Sequence, residues 1–253
     1  MRARPLLAAL VGGLTLAALV GAATNAGAER ACASGTRDGG YAYAGQQASH
    51  RGHGVRATIA MSRTPNVEAG HVAGWVGVGG PGQGPNGEDE WLQAGIASLP
   101  GMDPLVYVEI ARPGTAPEFV TVAEGVATRE SHDLAVLEIS RRPGWWRAWV
   151  DGRAVTEPVR LRGSSGRWAP IATAESWNAG TAACNSFGFR FERVSVSYGR
   201  GGSWRPFVPE HRFLDGANVV RDLASAQPRA GVYRSLTGRT DAILPYAFLA
   251  TSG

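Results

Sequence analysis

The chain has 253 residues, of which 44% are hydrophobic and 18% charged, with a formal charge of +4 and two cysteines. Its basic residues form no cluster interleaved with aromatics, which argues against a nucleic-acid partner. Glycine (35) and proline (15) punctuate the whole chain, and the length fits a single large β domain.

The first residues read as a signal peptide. Arg2 and Arg4 form a positive start, Leu6 to Ala23 is apolar apart from glycines and Thr15, and Ala26-Gly27-Ala28 offers a small-x-small cleavage pattern. A membrane anchor is the weaker reading, because the run is rich in Ala and Gly, is short for a span and has no second apolar stretch after it. Nor is Cys32 a lipid-anchor site, since Glu29, Arg30 and Ala31 lack the apolar residue that lipidation needs. The expectation is a secreted, extracellular protein that starts near Glu29 and is free of the membrane once residues 1–28 are removed. Loss of two arginines lowers the formal charge from +4 to +2. In an oxidising compartment Cys32 and Cys184 are expected to pair, tying an N-terminal segment (29–40) to a late loop. Neither has a second Cys or a His at metal-ligand spacing.

Short alternating runs between turn residues then dominate. In chain order they are Val55–Met61, His71–Gly79, Glu90–Ser98, Val106–Ile110, Glu118–Ala123, His132–Ser140, Trp145–Val150, Ile171–Trp177 and Phe187–Tyr198. Period two assigns their faces: Val106, Val108 and Ile110 point one way, Tyr107 and Glu109 the other. Pro81 to Glu90 is a polar, glycine-rich loop in which Glu88, Asp89 and Glu90 read as solubilising charges. Asp151-Gly152 is a hairpin signal, because both residues tolerate positive φ. Many strands at this spacing predict an all-β protein, a two-sheet antiparallel sandwich or jelly roll spanning residues 41–207. Beyond Phe207 the pattern dissolves, and 208–253 reads as an appended C-terminal tail with one short helix at Ala217–Ala224.

The usual catalytic signatures are missing. There is no Gly-x-Ser-x-Gly elbow, no His-Glu-x-x-His and no phosphate-binding glycine loop. His50 and His53 read as solvated loop histidines. In Glu90–Ser98, Trp91, Gln93, Gly95 and Ala97 share a face. In Ile171–Trp177, Ile171, Thr173, Glu175 and Trp177 do. Gln93 and Glu175 therefore each sit mid-strand beside a tryptophan. Periodicity by itself favours the solvated face for Glu175 over a groove that would raise its pKa.

Three segments taken in order resemble the N-terminal half of the eqolisins, the glutamic peptidases: Val55-Arg56-Ala57-Thr58-Ile59, Trp75-Val76-Gly77-Val78-Gly79 and Leu92-Gln93-Ala94-Gly95. Tyr107-Val108-Glu109 falls where that family has an aromatic-rich strand, and Ala174-Glu175 falls on the segment of its catalytic glutamate. The resemblance runs from Val55 to Tyr198. It implies a concanavalin-like sandwich whose curved sheet forms a substrate groove, and a protein or peptide substrate contacting Trp91, Tyr107, Glu109 and Trp177. It also implies a catalytic pair, Gln93 and Glu175, needing no metal and no cofactor. Glu175 would take a proton from the attacking water and return it to the leaving amine. The Gln93 amide would donate to the developing oxyanion. Ile96-Ala97 follow the glutamine strand where the family carries an acid, and Ser176 separates Glu175 from Trp177 where the family has Trp directly.

Two other readings compete. A non-catalytic extracellular binding module for glycan or protein would use Trp145, Trp146 and Trp149 with Trp91, Trp168 and Trp177 as stacking surfaces. Trp145 and Trp149 share parity while Trp146 faces the other way, so at least one packs inside. A cell-surface structural protein would have no groove chemistry at all. The peptidase reading needs Gln93 and Glu175 to approach each other across adjacent strands in one open cleft. A monomer is expected.

Overall fold

The computed structural model describes residues 40–223 and 246–252. The signal-peptide reading (1–28) and Cys32, the expected partner of Cys184, lie outside the described residues. Alternation of apolar and polar residues produces, in order, β1 (Tyr41–Ala48), β2 (Gly54–Met61), β3 (His71–Gly80), β4 (Glu90–Ser98), β5 (Leu105–Ala111), β6 (Glu118–Glu124), β7 (Ser131–Glu138) and β8 (Trp145–Val150). There follow β9 (Arg153–Ala154), β10 (Val159–Arg160), β11 (Ile171–Trp177), β12 (Gly188–Ser197), β13 (Trp204–Pro206), β14 (Pro209–Leu214), β15 (Val219–Asp222) and β16 (Tyr246–Thr251).

These strands form two antiparallel sheets. The first runs β14-β1-β11-β3-β4-β5-β6, and the second β10-β8-β7-β2-β12-β16-β15, with β13 beside β12 and β9 beside β8. The fold is the expected all-β sandwich. Asp151 (φ 49°) and Gly152 (φ 77°) make the two-residue turn from β8 to β9, with Val150 opposite Arg153. Between the sheets lies one apolar core that includes Ile59, Val76, Ile96, Trp146, Phe191 and Phe248, each fully buried. Phe191 and Phe248 stack at 4.5 Å across β12 and β16.

The sandwich does not end at Phe207. β14 pairs with β1 at the edge of the first sheet, and β16 pairs with β12 within the second. Val219–Asp222 is strand β15 rather than the expected helix, its backbone paired with β16. These strands are four to six residues long, and β14 and β15 carry Pro, Arg or Asp, so alternation is too brief to be read without the partner strand. β1 is likewise stronger in the fold than in the sequence. Its Tyr-Ala-Tyr-Ala-Gly-Gln-Gln-Ala lacks large aliphatics, yet it lies between β14 and β11.

Two polar residues placed at the surface by the sequence are structural. Glu90 is fully buried and accepts the backbone N–H groups of Arg162 and Gly163, fastening a distant loop to the start of β4. His53 is not a solvated loop histidine, because its Nδ1 bonds the carboxylate of Glu138. Glu138 is itself fully buried and also accepts the Gly144 N–H. A carboxylate buried with such partners is tolerated because each oxygen is hydrogen-bonded.

Candidate functional site

The outward face of the first sheet holds a second, smaller apolar cluster, made by Ala73, Trp75, Ala97, Leu105 and Tyr107. Small residues at Ala73, Ala97, Gly77 and Gly95 leave room for the two large rings to lie low on the sheet. At Gly95 a Cβ would meet Tyr107 Cε1 at 2.7 Å and the Gly74 carbonyl oxygen at 2.8 Å. Gly95→Ala is therefore expected to displace the Tyr107 ring and to lower stability by about 1–3 kcal/mol. Denaturant unfolding checks this, and an unchanged midpoint would show that the ring has slack.

Above this floor is a groove of about 1160 Å³. Its lining includes Trp91, Gln93, Glu109 and Glu175, all four singled out from the sequence, together with Tyr41, Tyr43, His71 and Trp75. His211 and Phe213 of β14 wall one side, and Pro81, Gln83 and Asp89 of the polar loop wall another. Raised walls explain why Glu175 is only 6% exposed although it faces outward. Periodicity had favoured the solvated face.

Strand register places the two key residues. Glu175 lies opposite Ala73 of β3, and Gln93 lies opposite Gly77 of the same strand. Gln93 and Glu175 are therefore not on adjacent strands. β3 runs between them, with Trp75 occupying the same-face position between their two rows. The Trp75 indole N–H is buried and makes no hydrogen bond among the described residues.

Each has a partner of its own. His71 Nε2 lies 3.2 Å from Glu175 Oε1, and His71 is packed in turn against Trp177 at 5.6 Å between ring centroids. Gln93 Nε2 donates to Tyr107 Oη at 3.1 Å and to Glu109 Oε2 at 2.6 Å. An amide nitrogen has two hydrogens, so both are engaged and Oε1 remains free to accept. Tyr107 and Trp177 stand behind the groove lining. Tyr107 is 2% exposed and stacks on Phe119 at 4.9 Å, while Trp177 stacks on Tyr41 at 5.9 Å. Their place is in bracing the residues that line the groove.

The electrostatics couple one end of the groove to the other. Burial, then the Glu175 charge, push the Glu109 carboxyl up from 4.5 to about 7. His71 opposes this, as does Trp91, which favours the ionised form without reaching ordinary hydrogen-bond geometry. Burial, Glu175 and Glu109 likewise push the Tyr41 phenol up to about 12, and the same three influences raise that of Tyr107. Near neutral pH the groove thus holds a carboxyl able to carry a proton and two phenols that keep theirs.

His71, Tyr41 and Tyr43 were not singled out from the sequence, and Trp75 entered only as part of the Trp75–Gly79 segment, without a role in the site. Parity was the available signal: His71 and Trp75 share a face of β3, and Tyr41 and Tyr43 share one of β1. The tryptophans, by contrast, form no common platform. Trp146 and Trp168 are core residues, and Trp145 lies under the guanidinium of Arg142 at 4.3 Å on the outward face of the second sheet.

No protein-family model and no curated protein sequence matches the chain. Among solved structures it is similar to scytalidoglutamic peptidase with a peptide-based transition-state analogue, at 14% identity and a TM-score of 0.49, covering 82% of this chain and 97% of that one. SCP-B, a member of the eqolisin family of peptidases in complex with the tripeptide Ala-Ile-His, is similar at 14% identity and a TM-score of 0.46, covering 82% and 96%. Bacillus licheniformis β-glucanase is similar at 12% identity and a TM-score of 0.34, covering 84% and 68%.

Proposed function

We propose that this chain is an exported endopeptidase acting at acid pH, with Glu175 as general base and the Gln93 amide as donor to the oxyanion. The observation that carries this reading is the opening of a nearly buried carboxylate and a nearly buried primary amide onto one groove. Each is 6% exposed, and Trp75 lies between their rows. His71 holds Glu175 Oε1, while Oε2 makes no hydrogen bond among the described residues and is placed to take a proton from water. An extended segment of protein would lie over Trp75. Trp91 and Glu109 would contact it directly, and Tyr107 and Trp177 would hold the residues that do. Neither step of this chemistry requires a metal or cofactor.

A binding module for glycans is the second reading, favoured by the aromatic stack of Trp177, Tyr41 and Tyr43 at one end of the groove, with centroids 5.9 and 6.2 Å apart. A panel of unfolded proteins and soluble polysaccharides, incubated with the purified chain between pH 3 and pH 8, separates the two. New peptide termini at acid pH with intact polysaccharides are expected. Polysaccharide retention with no cleavage of any protein would instead establish the binding module.

A further inference from the structure

The Gln93 amide is turned the wrong way for its proposed task. Both of its hydrogens are spent on Tyr107 and Glu109, so the groove meets an acceptor oxygen where an oxyanion would need a donor. The same three side chains have a second hydrogen-bonded arrangement. If the Glu109 carboxylate takes up a proton, its O–H becomes a donor facing the Gln93 side chain, which can meet it only with its amide oxygen. A half-turn of the amide then lets Oε1 accept from both Glu109 and Tyr107, using its two lone pairs, and directs the NH2 group into the groove. In the turned state the NH2 group exchanges its two protein partners for water or substrate in the groove, while Glu109 and Tyr107 stay bonded to the amide.

We propose that Glu109 is a proton-controlled positioning residue: ionised, it holds the Gln93 NH2 group away from the groove, and protonated, it turns that group toward the substrate. The idea rests on the peptidase reading for its consequence, but not for its geometry. It deepens that reading by giving acid activity a switch outside the catalytic pair.

The surroundings favour such a switch. Glu109 lies on β5, with Gln93 directly opposite on β4 and Phe119 opposite on β6. Glu175 from β11 disfavours its charge, and His71 from β3 favours it. Tyr41 of β1 feels the Glu109 charge but keeps its proton, as does Tyr107 of β5. Asp89 of the polar loop and His211 of β14 stand along the same groove, and Glu118 at the start of β6 pairs with Arg112, just beyond β5, at 3.0 Å. With the Glu109 midpoint near 7, the amide turns within the range where an exported hydrolase would meet acid conditions.

The direct test is the side-chain amide signal of Gln93 in a 15N-labelled purified chain, assigned by its loss in Gln93→Ala and followed from pH 4 to pH 9. In the wild type it should shift with a midpoint near 7. In Glu109→Gln the shift should vanish, and in Glu175→Gln its midpoint should fall, because the opposing charge is gone. These readings do not depend on hydrolysis, so they stand even if no substrate is cleaved. Where cleavage is measured, wild-type kcat/KM should fall about tenfold for each pH unit above that midpoint. Glu109→Gln should flatten this limb, whereas a merely structural role would lower activity equally at every pH. A Gln93 signal that is constant across the range, or that titrates unchanged in Glu109→Gln, overturns the proposal.

Discussion

Glu175→Gln is expected to lower the cleavage rate of an unfolded protein at acid pH by on the order of 10³-fold, the scale of a lost general base. The substitution exchanges one carboxylate oxygen for an amide nitrogen and changes little else. His71 can still meet the remaining side-chain oxygen, so the 3.2 Å contact and the packing of His71 on Trp177 should survive. Glu175 is 6% exposed, and a neutral amide of the same shape is cheaper to bury than a carboxylate. The variant should therefore be at least as stable as the wild type near neutral pH. Initial rates measured beside a thermal melt check both halves. Lost activity accompanied by lost folding would say nothing for catalysis. Full activity in a folded variant would remove Glu175 from the mechanism.

Trp146→Ala should be the most damaging single change to the fold, costing about 4 kcal/mol. Trp146 is fully buried on β8 and faces the sheet-to-sheet core. Its indole N–H donates to Ser164 Oγ at 2.7 Å, and that hydroxyl donates to the Leu161 carbonyl at 2.8 Å. Truncation leaves a large cavity and takes from the fully buried Ser164 the hydrogen bond it accepts. For a chain of this size the melting temperature should fall by roughly 8–16 °C. Trp149, on the same strand but half-buried and facing away from the core, serves as the control and should cost less than half as much when cut to Ala. Equal losses at the two positions would mean that the indole of Trp146 is not what fills the core.

Much of this architecture was legible because antiparallel strands with one buried face write their period into the sequence. β2 to β8, β11 and β12 were all found within a residue or two of their bounds. The missing strands carry weak local signals. β1 turns only small or polar residues, Ala42, Ala44, Gln46 and Ala48, toward the core, β14 is largely exposed and carries Pro, Glu, His and Arg, and β15 is four residues long. Their existence depends on partners far away in the chain, as with Gln46 opposite both Ala172 and Arg212. The candidate site shows the same division. Parity correctly placed Gln93, Trp91 and Glu175 on outward faces, and Glu109 opposite the core-facing Val108 and Ile110. It could not tell an outward face in water from one sunk between walls, so the burial of Glu175 and the raised pKa of Glu109 were invisible. Glu90 and His53 illustrate the converse error. A charge in a polar loop reads as solvated unless the backbone N–H groups that it serves, here 72 and 73 residues further on, are known.

Isotope incorporation during hydrolysis tests the central claim most directly. An unfolded protein is incubated at acid pH in 18O-labelled water with purified wild type and with folded Glu175→Gln, and the new carboxyl termini are read by mass spectrometry. Water attack assisted by Glu175 predicts labelled termini accumulating with the wild type and falling by on the order of 10³-fold with the variant. Labelled termini appearing at the same rate with both proteins would contradict the account.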